Sequence, residues 1–177
     1  EFRRVLFRSV VELAVGTPLV DDGGSNRGSV WILFIDTASL VVSESKISSL
    51  SGGFTGVLGA SDFFGVSVAG MPDLNGDGMS DLAVGAEQDD DGATNRGAVW
   101  LLFLTSDGMV SDHLKLSDTA SGSSGWLSGG GLFGRSIDYM GDFNGDGLIK
   151  LAVGGITHAG IKGGVWIMSL SAMAPTP

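Results

Sequence analysis

The stretch ELAVGTPLVDDGGSNRGSVWILF, beginning at Glu12, returns as DLAVGAEQDDDGATNRGAVWLLF, beginning at Asp81. The offset is 69 residues, pairing Gly16 with Gly85, Asn26 with Asn95 and Trp31 with Trp100. The same offset relates Phe64-Gly65 to Phe133-Gly134, Asp73 to Asp142 and Gly85 to Gly154. Beyond Gly154 the third copy is three residues shorter, so Trp100 pairs with Trp166 at an offset of 66. A fixed internal period marks a unit that cannot bury its apolar faces alone and must stack on its own copies.

One period reads as four short strands. FFGVSVAGM (residues 63–71), DLAVGA (81–86) and AVWLLFL (98–104) come first, and MVSDHLKLS (109–117) is a weaker outer strand. Ser106-Asp107-Gly108 is a tight-turn signal before that last strand. No stretch has helical periodicity or caps. In the third strand Val99, Leu101 and Phe103 point to one face while Trp100, Leu102 and Leu104 point to the other. Both faces are apolar and need cover, and without helices the cover has to be other sheets. The expectation is an all-β chain: a partial β-propeller of four-stranded antiparallel blades whose ring is not closed. A β-sandwich leaves near-identical copies at fixed spacing unexplained. Residues 10–52 are expected to form a partial blade lacking its first strand, 53–121 a complete blade, and 122–177 a third whose fourth strand is missing or unclear.

Thirty glycines and four prolines in 177 residues fit such a turn-rich protein. A net charge of −10 argues against nucleic acid or an anionic membrane surface as a partner. The chain has no cysteine, hence no disulfide and no thiolate metal site. No apolar run reaches the roughly 18 residues of a membrane span. The opening EFRRVLFRS carries three arginines and resembles the translated end of a short-read sequencing adaptor. Residues 1–9 are therefore expected to be non-native, with the native frame starting near Val10 inside a longer protein.

Two acidic turns carry the chemistry: DLNGDGMSD from Asp73 to Asp81, and DFNGDGLIK from Asp142 to Lys150. A hard cation such as Ca2+ takes roughly six to eight oxygens, some of them charged. Alternate positions of a tight turn place Asp73, Asn75 and Asp77 around one point, Gly76 and Gly78 let the backbone curl, and the Met79 carbonyl can add an oxygen. Asp81 closes the ring at the ninth position. The first six residues fit an EF-hand, but its twelfth position would be Val84, where a bidentate Glu is required, and strands flank the turn. The pattern is thus a short β-hairpin calcium loop. Asn-Gly and Asp-Gly form turns unaided, but three carboxylates in nine residues repel one another without a cation. In the second turn Lys150 replaces the closing acid. Either it swings to solvent and leaves a weak site, or it sits inward as a built-in cation. Ca2+ and the ammonium would compete for the same oxygens, a unit-charge repulsion at about 4 Å being about 4 kcal/mol at an effective dielectric near 20. The inward placement is expected, because a built-in charge avoids dehydrating an ion.

Phe64-Gly65, the turn DLNGDGMSD and LAVGA at 82–86 together resemble the FG-GAP repeat of integrin α-chain propellers, and the resemblance runs from about Val10 to Ser171. It implies blades that normally close a seven-membered ring, with calcium between the first two strands of some of them. The implied ligands are Asp73, Asn75, Asp77, the Met79 carbonyl and Asp81. In the second turn they are Asp142, Asn144, Asp146 and the Leu148 carbonyl, with a departure at Lys150. The first copy keeps only Glu12, at the closing position. The loops DDGGSNRG and DDDGATNRG resemble bacterial and algal members more than animal integrins. The resemblance implies a calcium-stabilised binding or adhesion module of a cell-surface or secreted protein. A protein or glycan ligand would bind at rim loops, and the remaining blades of a parent protein would complete the ring. The alternative it leaves open is a non-catalytic propeller attached to a phospholipase-type hydrolase domain.

Other features read more simply. Trp31, Trp100 and Trp166 recur at one repeat position and read as packing between sheets rather than a carbohydrate platform. Arg27 and Arg96 read as ties for the loop before the third strand. His113 and His158 fall at unrelated repeat positions and read as surface residues. Gly129, Gly131 and Gly134 satisfy G-x-G-x-x-G, but no helix follows. There is neither a nucleophile elbow nor a triad, so no enzyme is expected.

Overall fold

A computed structural model describes residues 11–120, 125–158 and 162–171. Residues 1–9, expected to be non-native, and 172–177 of the expected third blade lie outside them. The described residues form ten strands: β1 (Val11–Thr17), β2 (Ser29–Ile35), β3 (Val41–Ser48), β4 (Phe64–Met71), β5 (Asp81–Ala86), β6 (Ala98–Leu104), β7 (Val110–Leu116), β8 (Ser136–Gly141), β9 (Ile149–His158) and β10 (Lys162–Leu170). They form three antiparallel sheets, ordered β1-β2-β3, β4-β5-β6-β7 and β8-β9-β10. No described residue is helical. At the repeat offset β1, β2 and β3 correspond to β5, β6 and β7, while β8, β9 and β10 correspond to β4, β5 and β6. The result is a partial, unclosed β-propeller.

β6 shows why the sheets stack. All seven of its residues are buried. Trp100, Leu102 and Leu104 join Leu82 and Val84 of β5 and face Val30, Ile32 and Ile47 of the first sheet, with Phe54, Leu58 and Phe64 filling the gap. Val99, Leu101 and Phe103 face the other way, onto Phe133, Leu151 and Val153 of the third sheet. Burying one such side chain stabilises by about 1.5–3 kcal/mol, so neither face of β6 can be left in water.

The sheets are also joined backbone to backbone. Phe63 and Phe64 donate their amides to the carbonyls of Asn26 and Arg27 at 3.2 and 3.0 Å. One repeat later, Leu132 and Phe133 donate to Asn95 and Arg96 at 3.2 and 2.9 Å. The bridges Gly28↔Phe64 and Gly97↔Phe133 are both parallel. Phe63 and Leu132 adopt φ of 57° and 50°, a left-handed conformation that costs a non-glycine residue energy and turns the chain into this contact. The approach is close enough to demand glycine: a Cβ on Gly16 would stand 1.9 Å from the Gly65 carbonyl oxygen, and one on Gly85 would stand 2.0 Å from that of Gly134.

Gly85→Ala should therefore lower stability by about 1–3 kcal/mol, as overpacking against backbone does. Gly70→Ala, whose Cβ would meet nothing within 4 Å, should change it by no more than about 0.5 kcal/mol. Urea denaturation followed by tryptophan fluorescence measures both, and equal effects at the two positions would contradict the close-approach account.

Candidate metal centre

The first acidic turn joins β4 to β5, and its hydrogen bonds are nearly all local. The Asp73 carboxylate accepts the amides of Gly76 (2.6 Å), Asp77 (3.2 Å) and Gly78 (2.7 Å). These amides hold its carboxyl below the usual range, Gly78 contributing most. Asp77 accepts the Met79 amide at 2.7 Å and the Asn75 side-chain amide at 3.0 Å. Gly76 and Gly78 take φ of 81° and 86°, which lets the chain double back on Asp73.

Asp81 opens β5 and is buried at 2 % exposure. Its Oδ2 accepts the Leu74 amide at 2.7 Å, and its Oδ1 accepts the Leu104 amide at 3.2 Å. It thus ties the turn to the end of β6, a structural role that spacing alone did not reveal. Burial raises its carboxyl above the ordinary value, the Leu74 and Leu104 amides oppose this, and the charges of Asp77 and Asp73 add to the rise. A bound cation would relieve that repulsion.

The oxygen-only donors Asp73, Asn75, Asp77, the Met79 carbonyl and Asp81 fit the chemistry of a hard divalent cation. As folded, their carboxylates are turned onto backbone amides, and among the described residues no three acidic or imidazole side chains converge to hold a metal ion.

The second turn, between β8 and β9, repeats most of this pattern. Asp142 accepts the amides of Asp146 (3.0 Å) and Gly147 (2.8 Å), and Asp146 accepts those of Leu148 (2.8 Å) and the Asn144 side chain (3.0 Å). Lys150 stands where Asp81 stands in the first turn. It is 3 % exposed, and its Nζ lies 2.8 and 2.7 Å from the two carboxylate oxygens of Asp146. That ammonium is the main reason the Asp146 carboxyl is lowered to about 2. The donor set here does not fit a metal ion.

At the opposite end of the sheets, the β5–β6 loop is tied by charge. The Arg96 guanidinium binds Asp118, which also accepts the amides of Gly125, Trp126 and Leu127. The Arg96 carbonyl also accepts the Phe133 amide, so this loop anchors the next sheet. Lys115 bridges Asp89 and Asp91 at 2.8 and 3.0 Å. Asp62, 5 % exposed, accepts the Gly59 amide at 2.6 Å. Burial raises its carboxyl to about 6, with the Gly59 amide opposing and the Asp89 charge adding. His113 is half-buried rather than superficial, because its ring packs 5.1 Å from Phe54 and 5.3 Å from Trp100. The His158 side chain lies outside the described residues. Trp100 and Trp166 pack within the cores between sheets, while Trp31 lies beneath the Lys46 ammonium.

Residues 64–102, spanning the Phe-Gly start of β4 through most of β6, match the FG-GAP repeat family. Human integrin alpha-11 is 32 % identical over 153 residues, which is 83 % of this chain and 11 % of that protein. Human integrin alpha-10 is 40 % identical over 91 residues, 51 % of this chain and 7 % of its own length. Bovine integrin alpha-2 is 36 % identical over 92 residues, again 51 % and 7 %. The chain spans about a tenth of the length of the curated relatives it matches.

Asp81→Ala should destabilise the chain by about 2–6 kcal/mol even in chelator, because it strands two amides at about 1–3 kcal/mol apiece. Equal stability of the variant and the parent in EDTA-buffered denaturation would refute the structural role.

Asp62 binds its proton more tightly folded than unfolded. Its stabilising contribution is therefore complete below about 3.8 and is lost as pH rises through about 6. Asp62→Asn should remove that fall from the pH profile of the melting temperature; an unchanged profile would count against it.

Proposed function

We propose that this chain, an FG-GAP repeat protein of the integrin α type, is a calcium-stabilised segment of a propeller that serves binding or adhesion in a cell-surface or secreted protein. The observation that carries the calcium reading is the first turn: three carboxylates, an amide oxygen and a carbonyl within nine residues, held on a glycine-rich hairpin between β4 and the fully buried β5. Calcium would offset the mutual repulsion of Asp73, Asp77 and Asp81 and fix the junction of β4 and β5. Its role would be structural. The similarity to integrin α-chains supports the adhesion reading, with a protein or glycan ligand at rim loops such as residues 87–97. The same similarity supports an extracellular placement and a non-catalytic role, with the remaining blades of a parent protein as further partners.

A cation bound only by the folded state stabilises by about 2.7 kcal/mol at a hundredfold excess over its dissociation constant. The melting temperature should accordingly rise in calcium relative to chelator. Asp77→Asn keeps an acceptor for Met79 but removes one charge, and should lose most of that rise. Melting that ignores calcium in the unmodified chain would sink the calcium reading.

A further inference from the structure

We infer that the Lys150 ammonium is the permanent counter-cation of the second acidic turn, so that this turn is closed without metal while its near-copy at Asp73–Asp81 is the one that takes calcium. The two turns form an internal comparison. Most of their local hydrogen bonds coincide: the residue-77 and residue-146 amides donate to Asp73 and Asp142 at 3.2 and 3.0 Å. The next glycine amides donate at 2.7 and 2.8 Å, and the Asn75 and Asn144 side chains donate to Asp77 and Asp146, each at 3.0 Å. What differs is the closing residue. Asp73, Asp77 and Asp81 give the first turn three negative charges; Asp142, Asp146 and Lys150 give the second two negative charges and one positive.

The position of Lys150 decides between the two rotamers open to it. At 3 % exposure it is not directed to water, and both oxygens of Asp146 are engaged by one ammonium. Burying a lysine is tolerated only where its charge is paired and hydrogen-bonded, and this contact satisfies that condition. A calcium ion using Asp146 would have to displace the ammonium or sit beside a like charge. The tethered ammonium needs no free ion and loses no entropy of capture. The two turns therefore divide: one answers to calcium concentration, and the other is indifferent to it.

The test follows backbone amides of the full chain by 15N NMR during a calcium titration, with Gly145, Gly147 and Leu148 reporting on the second turn and Gly76 and Gly78 on the first. The second-turn amides should stay in place, or respond only at concentrations more than about tenfold above any first-turn midpoint. Lys150→Asp should make them respond, adding about one ion to the stoichiometry seen by calorimetry. Lys150→Gln should melt below the unmodified chain in chelator, since Asp146 then has no cation. Second-turn amides that titrate with the first in the unmodified chain would overturn the inference. So would a Lys150→Asp chain that gains no calcium response, or a Lys150→Gln chain that melts unchanged. Silent Gly76 and Gly78 would instead overturn the calcium reading of the first turn, leaving the second to be judged by the two lysine variants.

Discussion

The fold depends on the docking of one repeat's Phe-Gly backbone against the Asn-Arg-Gly loop of the repeat before it. Amides of residues 63 and 64 bond to carbonyls of residues 26 and 27, and the same bonds recur between 132–133 and 95–96. This contact fixes how closely the backbones of neighbouring sheets approach. It requires glycine at residues 16 and 85, where a Cβ would meet carbonyl oxygens within about 2 Å. It also accepts left-handed backbone at Phe63 and Leu132. With that spacing set, the two faces of β6 meet their neighbours, and alternate residues of that strand enter the two cores.

The same stacking accounts for what is left uncovered. The outward face of the first sheet exposes Leu13 and Val15, whose counterparts Leu82 and Val84 are buried against a neighbour. The outward face of the third sheet exposes Val165 and Ile167, counterparts of the buried Val99 and Leu101. Each terminal face is apolar because the repeat pattern is written for a sheet covered on both sides.

Antiparallel topology sends the two kinds of loop to opposite rims. The loops rich in Asp, Asn and Arg join second strands to third, and they carry the contacts between sheets. The acidic turns join first strands to second, and their bonds are mostly internal, so they can change without disturbing the stacking. Asp81 is the exception, since it reaches Leu104 at the end of β6. Lys150, at the corresponding position, turns its charge onto Asp146 within its own turn. One substitution thus converts a turn in which carboxylates repel into one in which charges pair.

The repeat period, the strands and the two-faced character of β6 were legible in the sequence because they rest on local alternation and on self-similarity. The composition of the acidic turns, and the loss of a carboxylate at Lys150, were legible for the same reason. Tertiary structure decided what those residues touch. Nothing local shows that Asp81 holds an amide from β6, because Leu104 is 23 residues away. Nor does it show that His113 packs on Phe54 and Trp100, or that the carbonyls of Asn26 and Arg27 receive the next Phe-Gly segment. The choice between an inward and an outward Lys150 was also tertiary. A lysine's four-carbon stem reaches either water or its own turn, and burial at the start of β9 selects the turn. Periodicity specifies which residues share a face; the packing of one copy on the next specifies which charges and amides find each other.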